Sequence, residues 1–369
     1  MLKVLFNLVL KFSDLLLPSK NQVCFYITPR TSWDANQQIL YAKLIGRCKV
    51  VIVDGNDIGK HSLSSIFLNI WKLARSKTII FDHSLPSGLI ASRHVTVNVW
   101  HGSPIKNIRF LCEDRFEHEF LLDQASHTDI LVSASPYDAL LMSSALHVPY
   151  FNVTKFGLPR NDYLTCTREE LDSLDLYNES NVIESLVGQY KKVILFAPTY
   201  RGDSHTDNDP VNFDESQIAV LERFLTDNDV FLFVRSHKFS NLSRNNKLLD
   251  TKNVIDGSSF KNPMILLRYI DLLVTDYSSI WIDFLLLKKP IIIYTPDLDT
   301  YTKEHGFIHD FKDSIPCEPL INFEQLMVSL DTSITLGTLS EKQTYFYDRY
   351  HATKSSSSSS ELLNLIIQK

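Results

Sequence analysis

Val95 to Phe110 reads VTVNVWHGSPIKNIRF, an apolar-rich strand that runs straight into Trp100, His101, Gly102, Ser103 and Pro104, with Lys106 and Arg109 just behind. A histidine at a strand end can be a packed ring, a metal ligand or a proton acceptor. Gly102 allows close approach of a substrate and Pro104 stiffens the turn that carries the ring. Three further clusters share this placement. FAPTYRG puts Arg201 three residues past Pro198, where a guanidinium can clamp a phosphate through two bonds; a plain surface arginine would read the same. VRSHKF offers Arg235, His237 and Lys238 at the end of another apolar run. VTDYSSIWIDFLLLKKP has the form strand, tight turn, helix, so Ser278 and Ser279 sit where free N–H groups and the positive end of a helix dipole converge. Such an end binds phosphate without a large protein charge. The plain alternative is a helix cap by one serine, with Asp283 complementing the dipole. Asp276 suits a phosphate pocket only if it orients hydroxyls or neighbouring N–H groups.

Other chemistries lack their residues. None of the 12 histidines forms HExxH or an equivalent pair, so no metal site is expected. No GxSxG elbow is present, and Ser103 has no recognisable base partner in sequence. GxGxxG and Walker patterns are missing too, which removes the dinucleotide and P-loop fingerprints. Cys24, Cys48, Cys112, Cys166 and Cys317 are odd in number, scattered and without a CxxC pair, the usage of a reducing compartment. The net charge of −6 argues against a nucleic-acid binder, so an anion must be held by local geometry. Two histidines that end strands in different halves of the chain favour a shared site over two structural rings. A transfer reaction with a nucleotide donor fits best.

The elements that must position these residues form two series. With 369 residues, 44 % hydrophobic and 22 % charged, the chain suits two globular domains. The first series holds QVCFYIT (22–28), a helix around 33–46, KVVIVDG (49–55), a helix around 62–75, TIIFDH (78–83), VTVNVW (95–100) and DILVSAS (129–135). It ends with a helix to Leu146 and FNVTKFGLP (151–159). Between Cys166 and Gln189 the sequence turns polar. The second series holds KKVILFAPTYRG (191–202), a helix around 214–227, VFLFVRSH (230–237), NVIDG (253–257) and a helix around 262–270. LLVTDYSSI (272–280), a helix to Lys288 and PIIIYTPD (290–297) complete it. Short Val/Ile-rich runs separated by helix-length segments indicate parallel α/β construction. Two such halves imply a cleft, and each polar cluster falls at a strand's carboxyl end, where ligands of these sheets bind.

The ends carry less chemistry. MLKVLFNLVLKFSDLLLPSK is broken by Asn7 and Lys11 and followed by no small-residue cleavage site, so it is not expected to be a signal peptide. As a helix it carries Leu2, Leu5, Val9, Phe12 and Leu16 along one side, either to lie in a membrane interface or to pack on the first domain. No apolar run reaches the roughly 18 residues that span a bilayer. Ser355 to Ser360 is the low-complexity tract; with amphipathic ELLNLIIQK behind it, Ser360 is expected to cap a final helix.

Four blocks, in this order, resemble the CDP-glycerol glycerophosphotransferases, which build teichoic acid and related bacterial polymers. WHGSPIKNI resembles W-H-G-T-P-x-K-x-I, GLPRND (157–162) resembles G-x-P-R-x-D, and FAPTYR resembles A-P-T-[WY]-R. LLVTDYSSIWIDFLLLKKPIIIYTPDLDTY resembles the long T-D-Y-S-S block through Tyr301, so the likeness spans residues 95–310. Ser103 stands where that family usually has threonine, and His305, Gly306 and Phe307 stand where R-G-[FY] is common. The resemblance implies an α/β fold of two Rossmann-like domains facing a cleft, of the GT-B type. An acceptor-side domain would cover 1–170, a nucleotide-donor domain 185–345 and a C-terminal helix 346–369.

The implied reaction moves glycerol phosphate, or a related polyol or sugar phosphate, from a CDP-linked donor to a hydroxyl of a lipid-linked glycan or polymer, releasing CMP. It would serve teichoic acid or capsule synthesis at the cytoplasmic face of the membrane, by peripheral contact and without a cofactor. His101 is then the general base. His237 with Arg201 contacts the diphosphate and stabilises developing charge. Ser278 and Ser279 cradle the donor phosphates, Gly102 and Ser103 belong to the same donor contacts, and Asp276 and Asp283 order that turn or the donor hydroxyls. Lys106 and Arg160 are candidates for acceptor phosphates. Two other readings stay open: a GT-B glycosyltransferase that releases a nucleoside diphosphate, and a catalytically silent binding subunit of an envelope-polymer complex.

Overall fold

The computed structural model describes residues 2–29, 31, 33–57, 63–112, 118–174, 177–199, 212–235, 247–351 and 357–368. The chain is α/β and divides into two compact units: Met1–Ser103 with Ile108–Asp162 and Thr353–Lys369, and Pro104–Asn107 with Tyr163–Ala352.

In the first unit β1 (Lys20–Ile27), β2 (Lys49–Asp54), β3 (Ser76–Phe81), β4 (Val95–Asn98) and β5 (Ile130–Leu131) form one sheet in the order β2-β1-β3-β4-β5. Every pairing is parallel. Strands covered on both faces read as unbroken apolar runs, and Phe25, Ile79, Ile80 and Val97 are fully buried. The 151–159 run, expected as a strand, gives only one parallel bridge, Val153 to Leu131. Tyr150–Asn152 and Pro159–Asn161 are 3-10 turns, and Gly157 takes φ 110°, so no extended ladder can form there.

In the second unit β6 (Lys192–Ala197), β7 (Val230–Val234), β8 (Val254–Asp256), β9 (Leu272–Thr275), β10 (Ile291–Tyr294) and β11 (Pro319–Leu320) form a parallel sheet in the order β11-β10-β9-β6-β7-β8. Two-residue β11 is too short to signal itself in sequence. Ile194, Phe196, Val274 and Ile292 meet Leu221 and Leu225 of helix Glu215–Asp227 and Phe323 and Leu326 of helix Phe323–Leu336 in one core. Asp214 starts the first of these helices with a reciprocal cap: its carboxylate accepts from Gln217 N at 2.9 Å, and Gln217 Oε1 accepts from Asp214 N at 3.1 Å. In each sheet the strand order reverses beside the first strand, between β1 and β3 and between β6 and β9. Open α/β sheets bind ligands beyond the carboxyl ends of such strands.

The two ends differ from expectation. Helix Leu2–Leu16 packs through Phe6 and Leu10 against Ile70 and Leu73 of helix Leu63–Ala74. Of the expected stripe, Val9 is partly buried, while Leu5, Phe12 and Leu16 lie on the solvent side with Val4, Leu8 and Leu15. The helix is apolar on two opposite faces and has buried one. Instead of a single helix over 346–369 there are two, Glu341–His351 and Ser358–Gln368. The cap of the second is not Ser360. Asp162 accepts from Ser358 N at 2.9 Å, Ser359 N at 3.1 Å and Ser357 Oγ at 2.6 Å, a carboxylate doing what a serine hydroxyl was expected to do. Among the described residues no helix is long and apolar enough to cross a membrane.

Candidate functional site

The reversal in the first sheet is laced by a threonine and an aspartate. Thr28, just past β1, donates from Oγ1 to Asp82 Oδ1 at 2.6 Å, just past β3. The same carboxylate accepts from the His83 N–H at 2.9 Å, and its Oδ2 lies 3.0 Å from His83 Nδ1. Burial pushes the Asp82 carboxyl up, but the His83 ring and the Thr28 hydroxyl outweigh it and hold the group below its ordinary value. Asp82 is therefore a buried carboxylate at pH 7.

His101 stands at the next strand end, past β4. The chain leaves that strand through Trp100 at φ 44° and Gly102 at φ 142°. A left-handed tryptophan is costly, and the surroundings hold it: Trp100 N donates to Asn98 Oδ1 at 2.9 Å, and the ring packs with Leu131, Met142 and Val153. Trp100 is buried, whereas His101, the next residue, is exposed. The imidazole stacks on His83 with ring centroids 4.4 Å apart and planes 12° from parallel. Protein crowds it on the inner side, and this desolvation lowers its pKa, as do the positive charges of His83, Arg160 and Arg109; Asp82 acts the other way. Solvent at the open side limits the shift without reversing it. The ring is a neutral imidazole at pH 7, the state a proton acceptor requires.

GLPRND proves to be the bracket that holds this turn. Arg160 is 7 % exposed and donates from its guanidinium to the His101 carbonyl at 2.5 Å. Its own N–H donates to Asn36 Oδ1 at 2.9 Å, while Asn36 Nδ2 donates to the Trp100 carbonyl at 3.1 Å. A Cβ at Gly157 would run into Ser358 Oγ, and Asp162 caps the helix that Ser358 begins. Arg160 was expected to meet an acceptor phosphate; in the structure its largely buried guanidinium is turned to the His101 carbonyl. Asp34 caps helix Ala35–Leu44 beside it, with its carboxyl pushed up to about 6 by burial, against the pull of Arg160 and the Asn36 N–H.

The reversal in the second sheet repeats the device. Asp276, past β9, is fully buried and accepts from Thr199 N at 2.8 and 2.9 Å and from Thr199 Oγ1 at 2.7 Å. Thr275 Oγ1 donates to the Ala197 carbonyl at 2.7 Å alongside. The carboxylate thus fixes Thr199, two residues past β6. Beyond it Tyr277 is buried, donates to Asp297 Oδ1 at 2.9 Å and stacks on Tyr301 at 3.7 Å between centroids. Ser278 and Ser279, half-buried, open helix Ile280–Phe284; Ser278 Oγ accepts from Ile280 N at 3.3 Å and Ser279 makes no side-chain cap.

The remaining candidates sort themselves. Asp283 is 1 % exposed in the first turn of its helix, and beside it His351 Nε2 lies 2.6 Å from the Ile282 carbonyl. Lys106 belongs to the second unit, with Nζ 3.1 Å from Tyr301 OH and the chain paired to Phe307. Ser103 Oγ is buried without a hydrogen-bond partner. Arg235 is spent on the Gly257 and Phe260 carbonyls at 2.5 and 2.7 Å. Arg201, His237 and Lys238 lie outside the described residues. The first unit therefore brings His101, Gly102, Ser103 and Arg160 together, and the second Asp276, Ser278 and Ser279. Sequence reading missed Asn36, Asp82, His83 and Thr199, although FDH ends a strand as visibly as VWH does. Among the described residues no group of three or more His, Cys, Asp or Glu could hold a metal ion.

Known proteins share this chain's sequence and fold. A teichoic acid glycerol-phosphate transferase of Staphylococcus aureus is 29 % identical over 386 residues, which cover 95 % of this chain and 94 % of that protein. A teichoic acid poly(glycerol phosphate) polymerase of Bacillus spizizenii is 27 % identical over 81 % of this chain and 76 % of its own length. The solved wall teichoic acid polymerase TagF superposes with a TM-score of 0.77 at 20 % identity, covering 99 % of this chain and 92 % of that one, a likeness of fold. The family model for CDP-Glycerol:Poly(glycerophosphate) glycerophosphotransferase matches residues 10–368, from the first helix through the Asp162-capped last one. The chain that carries the His101 turn, the GLPRND bracket and the Thr199–Asp276 lace belongs to that glycerophosphotransferase family.

Proposed function

We propose that this enzyme transfers glycerol phosphate from CDP-glycerol to a hydroxyl of a lipid-linked or polymer acceptor of a bacterial wall polymer, on a GT-B framework. The observation that carries this reading is His101, a neutral, solvent-open imidazole on a turn braced by Asn36 and Arg160. His101 takes the proton of the acceptor hydroxyl. The freed oxygen forms a bond to the glycerol-bearing phosphorus, the bond from that phosphorus to the bridging oxygen breaks, and CMP leaves with the electron pair. Phosphoryl transfer of this kind is largely positioning and charge stabilisation. Ser278 and Ser279 would supply N–H and hydroxyl donors to the donor phosphates, with Arg201 and His237 as the cationic groups. Gly102 and Ser103 would line the approach to the transferred group. Asp276 orders the Thr199 loop, and Lys106 remains a candidate contact for acceptor phosphate. The test is CMP release by purified protein from a panel of CDP-alcohols. Acceptor-dependent release from CDP-glycerol is expected; release of a nucleoside diphosphate from sugar nucleotides instead would overturn the reading.

The acceptor's lipid end gives the exposed apolar face a role. Leu5, Leu8, Phe12 and Leu16 of the first helix and Leu63, Phe67 and Trp71 of its packed neighbour are all exposed. Lys49 and Arg75 lie 5.7 and 5.1 Å from the centre of the Trp71 ring. An apolar face of this size with a basic edge suits the interface of an anionic bilayer, and a peripheral position at the cytoplasmic face of the membrane follows. Replacing Leu8 and Phe12 together by glutamate is expected to weaken binding to anionic vesicles by at least about tenfold in co-sedimentation, since each buried side chain contributes ~1.5–3 kcal/mol. Unchanged binding would remove this face from the interface.

A further inference from the structure

A cavity of about 490 Å³ lies in the first unit between the edge strand β2 and helix Leu63–Ala74, within the ~300–1,000 Å³ range of small-molecule sites. Ile52 and Asp54 of β2 and Asp57 just past it form one wall; Leu68, Asn69 and Lys72 of the helix form the other. Lys72 Nζ donates to the Ile52 carbonyl at 3.1 Å and ties the two walls together. Asp54 accepts from Asn56 N at 2.8 Å and from Asn56 Nδ2 at 2.9 Å, both at Oδ1, so Oδ2 keeps its lone pairs. Asn69 is 8 % exposed, and among the described residues its amide has no hydrogen-bond partner. A buried amide is costly unless bonded, so one that lines a cavity calls for a partner from outside the fold.

The lining selects the ligand's chemistry. Two carboxylates against one ammonium disfavour a phosphate or any other anion. An apolar ligand would leave the Asn69 amide unpaired. A sugar fits: its adjacent hydroxyls each donate and accept, matching the carboxylate oxygens, the amide and the ammonium, while its C–H face matches Ile52 and Leu68. Leu68 also places the cavity. Its side chain is exposed on the helix that carries Leu63, Phe67 and Trp71, so the rim is continuous with the apolar face assigned above to the bilayer. We propose that this cavity binds the uncharged sugar head group of a membrane lipid and so favours bilayers that display one. The inference rests on the bilayer role of that face.

The experiment measures co-sedimentation with two vesicle preparations of equal charge. One is phosphatidylcholine with phosphatidylserine; in the other, part of the phosphatidylcholine is replaced by monoglucosyl diacylglycerol. The wild-type enzyme should bind the glycolipid vesicles more tightly. Asn69→Leu keeps the side chain's volume and loses its donor and acceptor. It should bind the glycolipid vesicles about fivefold more weakly, the loss of one hydrogen bond, and the sugar-free vesicles unchanged. Asp54→Asn, in which Oδ1 still accepts from Asn56, guards against a folding artefact and should lose the same preference. Equal, measurable binding of both preparations by the wild type, or an equal loss on both in the variants, would overturn the proposal and leave the cavity to water. Calorimetry with methyl glucoside separates the sources: binding in solution with no preference for glycolipid vesicles would take the ligand away from the membrane and sink the lipid assignment. If the wild type bound neither preparation, the bilayer face would fail on its own. Binding of methyl glucoside to the wild type and its loss in Asn69→Leu would then still decide the cavity.

Discussion

His101→Ala is expected to lower kcat/KM by about 10²–10⁴, the usual effect of removing a general base. The loss should fall on kcat, because the hydroxyl still binds but its proton has nowhere to go as the oxygen attacks phosphorus. Folding should survive: the His101 side chain is exposed, and the turn beneath it is held by Asn98, Asn36 and Arg160 through backbone atoms of Trp100 and His101. The pH profile adds a second reading of the same residue. A base works in its neutral form, and the His101 pKa lies below its ordinary value, chiefly through crowding by protein and the adjacent His83 charge. The rate should therefore stay level as pH falls from 7 through the usual histidine range near ~6.5 and decline only further into acid. Steady-state kinetics from pH 5 to 8 would show it. A wild-type acid limb at or above ~6.5 would mean that the ring titrates as an ordinary histidine. Near-normal turnover by the alanine variant would end the base assignment.

Much of this architecture was legible because parallel strands buried on both faces leave strong marks. TIIFDH and KKVILFAP could hardly be anything else, and ten of the eleven strands among the described residues overlap runs recognisable in sequence. The exceptions have physical causes. FNVTKFGLP has strand-like composition, but Gly157 at φ 110° and the 3-10 turns on either side break the ladder. β11 is two residues long, below any periodicity. The first helix looked one-sided on the page because spacing shows which residues share a face but not which face finds a partner; Phe6 and Leu10 found one and the opposite face did not.

The site was legible by residue type and placement, less so by role. His101 and Ser278 drew notice because polar residues at strand ends are out of character with the runs before them. Arg160 was a candidate phosphate ligand through the family resemblance; only the fold reveals the His101 carbonyl that its guanidinium meets. Asn36 left a faint signal, a buried amide pair with Gln37 inside a helix, whose bonds to distant carbonyls no spacing rule could assign. The paired threonine–aspartate laces at the two reversals also escaped sequence reading, since Thr28 and Asp82 stand 54 residues apart and Thr199 and Asp276 77 apart.

Asp14→Ala is expected to destabilise the attachment of the first helix by about 3–5 kcal/mol, the cost of stripping one partner from a buried ion pair. Asp14 and His94 are both fully buried at their side chains. His94 Nδ1 lies 2.6 Å from the Ser76 carbonyl and Nε2 3.1 Å from each Asp14 oxygen, so both ring nitrogens have polar partners inside the fold. Asp14 Oδ2 also accepts from Ile90 N at 2.7 Å. Removing the carboxyl group strands a buried ring nitrogen of His94 and the Ile90 N–H at once. Replacing the pair together, as Asp14→Leu with His94→Leu, should recover most of the loss, because apolar side chains need no partner there. Hydrogen exchange of the amides of residues 2–16 is the suitable measurement, since it reports local opening in a chain of two units where a single melting transition would not. Exchange in the alanine variant no faster than in wild type would show that Phe6 and Leu10 hold the helix without the pair. The expected release has a functional edge: Leu5, Leu8, Phe12 and Leu16 ride on this helix. On the proposed function, an enzyme whose helix has come loose should still bind vesicles through those side chains while the His101 turn is no longer held to that helix, and turnover on a lipid-linked acceptor is expected to fall further than turnover on a soluble one.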